Sequence, residues 1–204
     1  MKIDSKTKKN AGFTLVELIV VLVILAILAA ILVPTLLGYI DRARNHQYIV
    51  EAQDLMKATQ AGIVEAYARD KVDFKKTVRK SKCSKVTENY GYYTNNVLAL
   101  AMKNDALDET KDNMKNNGAK SKNIICREVV KYADTFDYQF NADPLADNTK
   151  VSSLGDTVGF MILYNERGQI VYMQYARDGR LVTFDGKSFT VETGKDLQFI
   201  AFRN

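Results

Sequence analysis

Residues 8–34 read KKNAGFTLVELIVVLVILAILAAILVP. From Phe13 to Val33 every residue except Thr14 and Glu17 is apolar, and at about 1.5 Å per helical residue the run spans roughly 31 Å, the thickness of a bilayer's hydrocarbon core. One membrane-crossing helix is the expectation. Lys2, Lys6, Lys8 and Lys9 precede it, so the positive-inside rule keeps that end cytoplasmic and exports the chain beyond Pro34. A secretory signal peptide would carry a small-residue cleavage site after the apolar run. Here Pro34 is followed by Thr35-Leu36-Leu37-Gly38-Tyr39, with no such triplet. The small residue suited to a processing boundary is Gly12, ahead of the run. Cutting there removes a polar leader and leaves the hydrophobic helix on the mature chain. Glu17 is the anomaly, since an unpaired carboxylate in an apolar helix costs about 2 to 4 kcal/mol near the bilayer centre.

The helical pattern continues past the membrane. Ile40, Ala43, Ile49, Ala52, Leu55, Met56, Thr59, Ile63, Ala66 and Tyr67 recur at spacings of mostly three or four, with charged residues largely between them. A helix from Phe13 to about Asp70 would be roughly 87 Å long, so only its second half can pack on a small globule. Pro34 lacks a helical N–H and Gly38 is a poor helix former, which predicts a helix break, as a kink or a local melt, between about Val33 and Gly38. Residues 71–156 are polar and weakly periodic, with short helices expected near 95–103, 107–116 and 123–133. Beyond them, Val158–Tyr164, Gln169–Ala176, Arg180–Phe184, Ser188–Glu192 and Leu197–Phe202 are β-rich runs separated by turn sequences such as Asp178-Gly179 and Asp185-Gly186. The fold class expected is α+β: a long amino-terminal helix packed on a four- to five-stranded antiparallel sheet. The stripe from Ile49 to Tyr67 would cover an apolar face including Phe160, Ile162, Ile170, Tyr172 and Leu181. The organisation is then a leader (1–12), a membrane or core helix (13–37), an amphipathic helix (38–70), a variable region (71–156) and a sheet (157–204).

The 204 residues are 47% hydrophobic and 26% charged, which suits one membrane helix and one modest globular domain. Of the net charge of +5, the leader's four lysines and one aspartate contribute most, leaving +2 on residues 13–204 and weakening any nucleic-acid reading. Basic clusters such as Lys75, Lys76, Arg79, Lys80 and Lys82 read as a solvated loop, and Tyr90, Tyr92 and Tyr93 as packing. No Gly-rich phosphate loop, HExxH or GxSxG is present, and the single histidine, His46, falls on a solvated part of the helix, so no catalytic site and no cofactor are expected. No metal site is assigned. Asp143, Asp147 and Asn148 are weak calcium candidates whose spacing departs from an EF-hand and reads first as a polar turn. Cys83 and Cys126 are a candidate disulfide at an oxidising surface, the alternative being two buried thiols.

The stretch Gly12-Phe13-Thr14-Leu15-Val16-Glu17-Leu18, behind a basic leader and ahead of a long apolar helix ending near Pro34, resembles the amino-terminal signature of type IV pilins and their pseudopilin relatives. The resemblance is specific over about residues 8–38 and architectural beyond them. It implies a membrane prepilin peptidase that cuts after Gly12 and methylates the new amino-terminal Phe13, and a role in assembly for Glu17. It also implies calcium binding in the sheet loops of some relatives and a carboxy-terminal cysteine pair in many. Cys83 and Cys126 both precede the sheet, a departure within the spread among pilins of Gram-positive bacteria.

The function expected on that resemblance is a structural, non-enzymatic subunit, a major pilin of a Gram-positive bacterium. It is membrane-resident before assembly and then polymerises through its amino-terminal helix into an extracellular filament for adhesion or motility. Its partners would be other copies of itself, the peptidase, the assembly machinery and a surface or host ligand the sequence does not identify. Three alternatives stand beside it: a pseudopilin of a secretion or DNA-uptake system, a minor pilin, and a monomeric membrane-anchored binding domain. Glu17 would neutralise the Phe13 amine created by cleavage, on its own chain or on a neighbour.

Overall fold

The computed structural model describes residues 13–81, 83–94, 125, 129, 149–155 and 157–201. These fall into two compact units divided after Arg44. Helix α1 (Leu15–Asp70) begins in the first and ends in the second.

In the first unit α1 presents apolar side chains all round. The large ones from Leu15 to Leu37 are each at least half exposed, and this is the one helix among the described residues long and apolar enough to cross a membrane. The expected break is not there as a melt, because α1 stays helical through Pro34 and Gly38. Proline removes a single i→i−4 bond, and the runs of Leu, Ile and Ala on either side are strong enough helix formers to carry the ladder past it. The Thr35 hydroxyl adds a bond to the Leu32 carbonyl at 2.8 Å in the turn where the ladder is weakened.

In the second unit, the head, five antiparallel strands lie in sequence order: β1 (Gly91–Thr94), β2 (Gly159–Tyr164), β3 (Ile170–Arg177), β4 (Arg180–Phe184) and β5 (Phe189–Thr193). Four of them match the β-rich runs expected between turn sequences. Of the fifth expected run, Leu197–Phe202, residues 197–201 are no strand of the sheet and Phe202 lies outside the described residues; the fifth strand is a short one from the region expected to be variable, so the sheet reaches back beyond residue 157. The 197–200 segment uses its backbone groups elsewhere. Leu197 O accepts from Val151 N, Phe199 N donates to Thr149 O, and Ile200 N donates to the side chain of the buried Gln174 at 2.8 Å.

Both faces of the sheet are covered, which is why every residue of β2 is buried. One face brings Phe160, Ile162, Tyr164, Met173, Tyr175 and Val182 against Tyr48, Ala52, Leu55, Ile63 and Ala66 of α1, with Ile125 and Val129 in the same core. Ile125 and Val129 are both helical and lie within the helix expected at 123–133; the other two expected helices fall outside the described residues. Gly62 is where the approach is closest: a Cβ there would sit 2.7 Å from the Ile125 Cα. The opposite face packs Met161, Leu163, Tyr172, Ala176 and Leu181 against Cys83, Val86, Tyr90, Val151, Leu154 and Phe199. Tyr172 and Leu181 therefore face away from α1, contrary to the expectation. Residues two apart on a strand normally share a face, yet Ile170 packs on the helix side and Tyr172 on the other. A bulge separates them. Leu163 pairs with Tyr172 while Tyr164 pairs with Ile170, so the extra residue in β3 reverses the alternation.

That second layer carries a titratable consequence. Burial, with Cys83 beside it, pushes the Tyr172 phenol up to about 12. A phenol held neutral in the fold but ionising near pH 10 once unfolded contributes stability that is complete below about pH 10. The contribution is lost as pH rises through about 12. Urea unfolding of the wild type is expected to show head stability falling across that window, and Tyr172→Phe to flatten part of the fall. Equal slopes in the two proteins would reassign the effect to other groups.

Candidate assembly site at the start of the helix

Thr14 is the residue before α1 and Glu17 lies in its first turn. The Thr14 backbone N–H donates to Glu17 Oε2 at 2.9 Å and the Thr14 hydroxyl to the same oxygen at 2.7 Å. In return the Glu17 N–H points at Thr14 Oγ1, 3.3 Å away. This is a capping box: the cap side chain takes one orphan amide of the helix start while the carboxylate three residues on takes another. The negative charge also lies at the positive end of the helix dipole. Glu17 thus has a task on its own chain before any second molecule is present. The T-x-x-E spacing that signals this is in the sequence, but Thr14 is not among the candidate site residues expected from it, because the polar pair sits in a run read for its hydrophobicity. Both Thr14 donors converge on Oε2, and Oε1 has no donor among the described residues.

Phe13 is the first described residue and is 85% exposed. Gly12 lies outside the described residues. Just past the cap begins the exposed apolar surface of α1, so polar cap and apolar stem are consecutive on one helix.

Residues 7–33 match the family model of the prokaryotic N-terminal methylation motif. Over these residues the chain is similar to the amino terminus of type IV prepilin-like proteins. No curated protein and no solved structure matches the chain. The prepilin-like motif spans Gly12, Phe13, Thr14, Glu17 and most of the apolar half of α1, and the head lies wholly beyond it.

The other residues singled out from the sequence are dispersed. Cys83 is a buried free thiol in the layer opposite α1, so the structure holds no bridge at that position. Cys126 lies outside the described residues; its neighbour Ile125 belongs to the core on the α1 face, with the sheet between that core and Cys83. Asp143, Asp147 and Asn148 also lie outside the described residues, and among those described no three His, Cys, Asp or Glu side chains are grouped to hold a metal. His46 is exposed on α1, Lys75 and Lys76 are exposed beyond it, and Tyr90 is fully buried as packing.

Proposed function

We propose that the chain is the structural subunit of a type IV pilus-like filament, cut after Gly12 and methylated on Phe13, that passes from the membrane into a bundle of its own amino-terminal helices. One observation supports this most: a methylation motif runs without interruption into a helix whose large apolar side chains are half or more exposed from Leu15 to Leu37. Such a surface is stable in lipid or against other copies, because each large apolar side chain left in water forgoes about 1.5 to 3 kcal/mol. Glu17 supplies the register. Thr14 holds one carboxylate oxygen, which leaves Oε1 to accept from the Phe13 ammonium of another copy as the helices leave lipid.

The test is chemical. Filaments sheared from cells producing the protein should consist mainly of this chain, beginning at a methylated Phe13 by mass spectrometry, and Gly12→Val should leave the leader on and abolish them. A chain still beginning at Met1, or filaments from the uncut variant, would overturn the proposal. Short filaments of few copies, with a secretion or DNA-uptake defect on deletion, would select the pseudopilin role instead.

A further inference from the structure

The head's share of α1 begins at Asn45, and its first two turns are held differently from the rest. Strands β3 and β4 are joined by a tight turn in which Arg177 pairs with Arg180, and Asp178 and Gly179 both have left-handed backbone, with φ of 49° and 70°. Three of the four residues of this turn, Arg177, Asp178 and Arg180, reach three positions on one face of α1. Arg180 Nε donates to Asn45 Oδ1 at 3.0 Å, and its guanidinium lies 5.5 Å over the Tyr48 ring. The Tyr48 hydroxyl donates to Asp178 Oδ2 at 2.7 Å. One turn on, the buried Glu51 accepts from Tyr175 Oη at 2.7 Å, from Gln47 Nε2 at 2.9 Å and from Arg177 Nη1 at 3.4 Å. From Ala52 onward the same face is almost wholly apolar, through Leu55, Ile63 and Ala66. The buried Thr59 interrupts it, and its hydroxyl is turned onto the Leu55 carbonyl of its own helix.

We propose that the Arg177–Arg180 turn is a polar clasp on residues 45–51 of α1 that opens separately from the apolar core next to it, so that the first turns of the head's helix can detach while the sheet stays folded. Three features carry this. The donors and acceptors of the clasp are replaceable by water and, of its helix side chains, the Tyr48 ring alone belongs to the buried apolar core, whereas Ala52, Leu55, Ile63 and Ala66 would all lose apolar burial if they moved. Of its ionic members Glu51 is buried, but Arg177 is 30% and Asp178 47% exposed, so salt weakens the outer part of the clasp and leaves the core alone. Among the described residues, the sheet-side groups named here other than Tyr175 sit on one four-residue turn and move together. Replacing a buried ion pair by an apolar contact of the same volume is often neutral or stabilising, so a polar hold at this place favours release over strength. The use of such a release as subunits pack rests on the filament proposal; the opening itself does not.

Hydrogen–deuterium exchange on the full-length chain in detergent micelles separates the two. Tyr48→Phe, which removes the bond to Asp178, and Arg180→Gln are each expected to speed exchange of the amides of residues 48–55 by about tenfold, with the amides of β2 to β4 unchanged. Raising salt from about 0.1 M to about 1 M should move wild type in the same direction and the Arg180→Gln variant less. Asp178→Asn, which keeps an acceptor for Tyr48, should stay near wild type. If helix and strand amides accelerate together, or if neither moves, the clasp is ordinary core packing and the inference is wrong. Filament formation is not read in this experiment, so a chain that never polymerises would sink the proposed function and leave the clasp standing.

Discussion

Glu17→Gln chains are expected to be cleaved, to enter the membrane and to fold their heads, yet to form filaments at no more than about a tenth of the wild-type number. The substitution isolates charge from structure. Glutamine serves the third helical position of a capping box as glutamate does, its amide oxygen still accepting from the Thr14 N–H, so the helix start is preserved. Membrane insertion should be unharmed or slightly eased, since a neutral amide costs less to bury than a carboxylate. What is lost is the anion that meets an incoming ammonium in an apolar core, and an uncompensated buried charge costs about 3 to 5 kcal/mol. Thr14→Val is the complementary variant: it keeps the charge, removes the hydroxyl of the box and should reduce filament yield less than Glu17→Gln. The measurement is a count of filaments by electron microscopy, alongside membrane fractionation and the amino-terminal residue. Wild-type numbers from Glu17→Gln would reject the charge pairing, and failure to enter the membrane would place Glu17 in an earlier step.

Legibility in the sequence tracks the range of the interactions involved. The long helix and strands β2 to β5 are legible because each is written locally: a long apolar run followed by a stripe of period 3.6 for the helix, and β-rich runs with turn residues such as Asp178-Gly179 between them for the strands. The fifth strand is not. Gly91–Thr94 is four residues long and is a strand only because β2 offers it an edge, while Leu197–Ile200, the better β-former, is captured by Thr149, Val151 and Gln174. The face of Tyr172 was hidden for a related reason, since one bulged residue reverses every inference from parity and a bulge leaves no mark in composition. At the candidate site both the motif and the T-x-x-E of the capping box are local signals, the second set inside a run whose hydrophobicity dominates its reading. The clasp was illegible, because Tyr48 and Asp178 are brought together only by the register of the folded head.

The two glycines of α1, Gly38 and Gly62, give the sharpest contrast between local propensity and tertiary packing. In an exposed helix interior, replacing glycine by alanine stabilises by roughly 0.5 to 1 kcal/mol. At Gly38 nothing lies within 4 Å of the position a Cβ would occupy, so Gly38→Ala should raise helicity and leave the melting of the head unchanged. At Gly62 the same atom would lie 2.7 Å from the Ile125 Cα and 3.3 Å from its Cγ1 and backbone nitrogen. A clash with backbone cannot be relieved by rotating a side chain, so α1 or the segment carrying Ile125 must move, opening the core around Leu55 and Val129. Gly62→Val is therefore expected to destabilise the head by about 3 kcal/mol even though valine is the better helix former, and to lower its melting midpoint by roughly 6 to 12 °C. The chain has eleven tyrosines and no tryptophan, so near-ultraviolet circular dichroism of the tyrosines reports the loss of head packing directly. A Gly62→Val midpoint equal to wild type would mean that Ile125 does not seat against α1 at Gly62, and the core on that face would have to be redrawn without it.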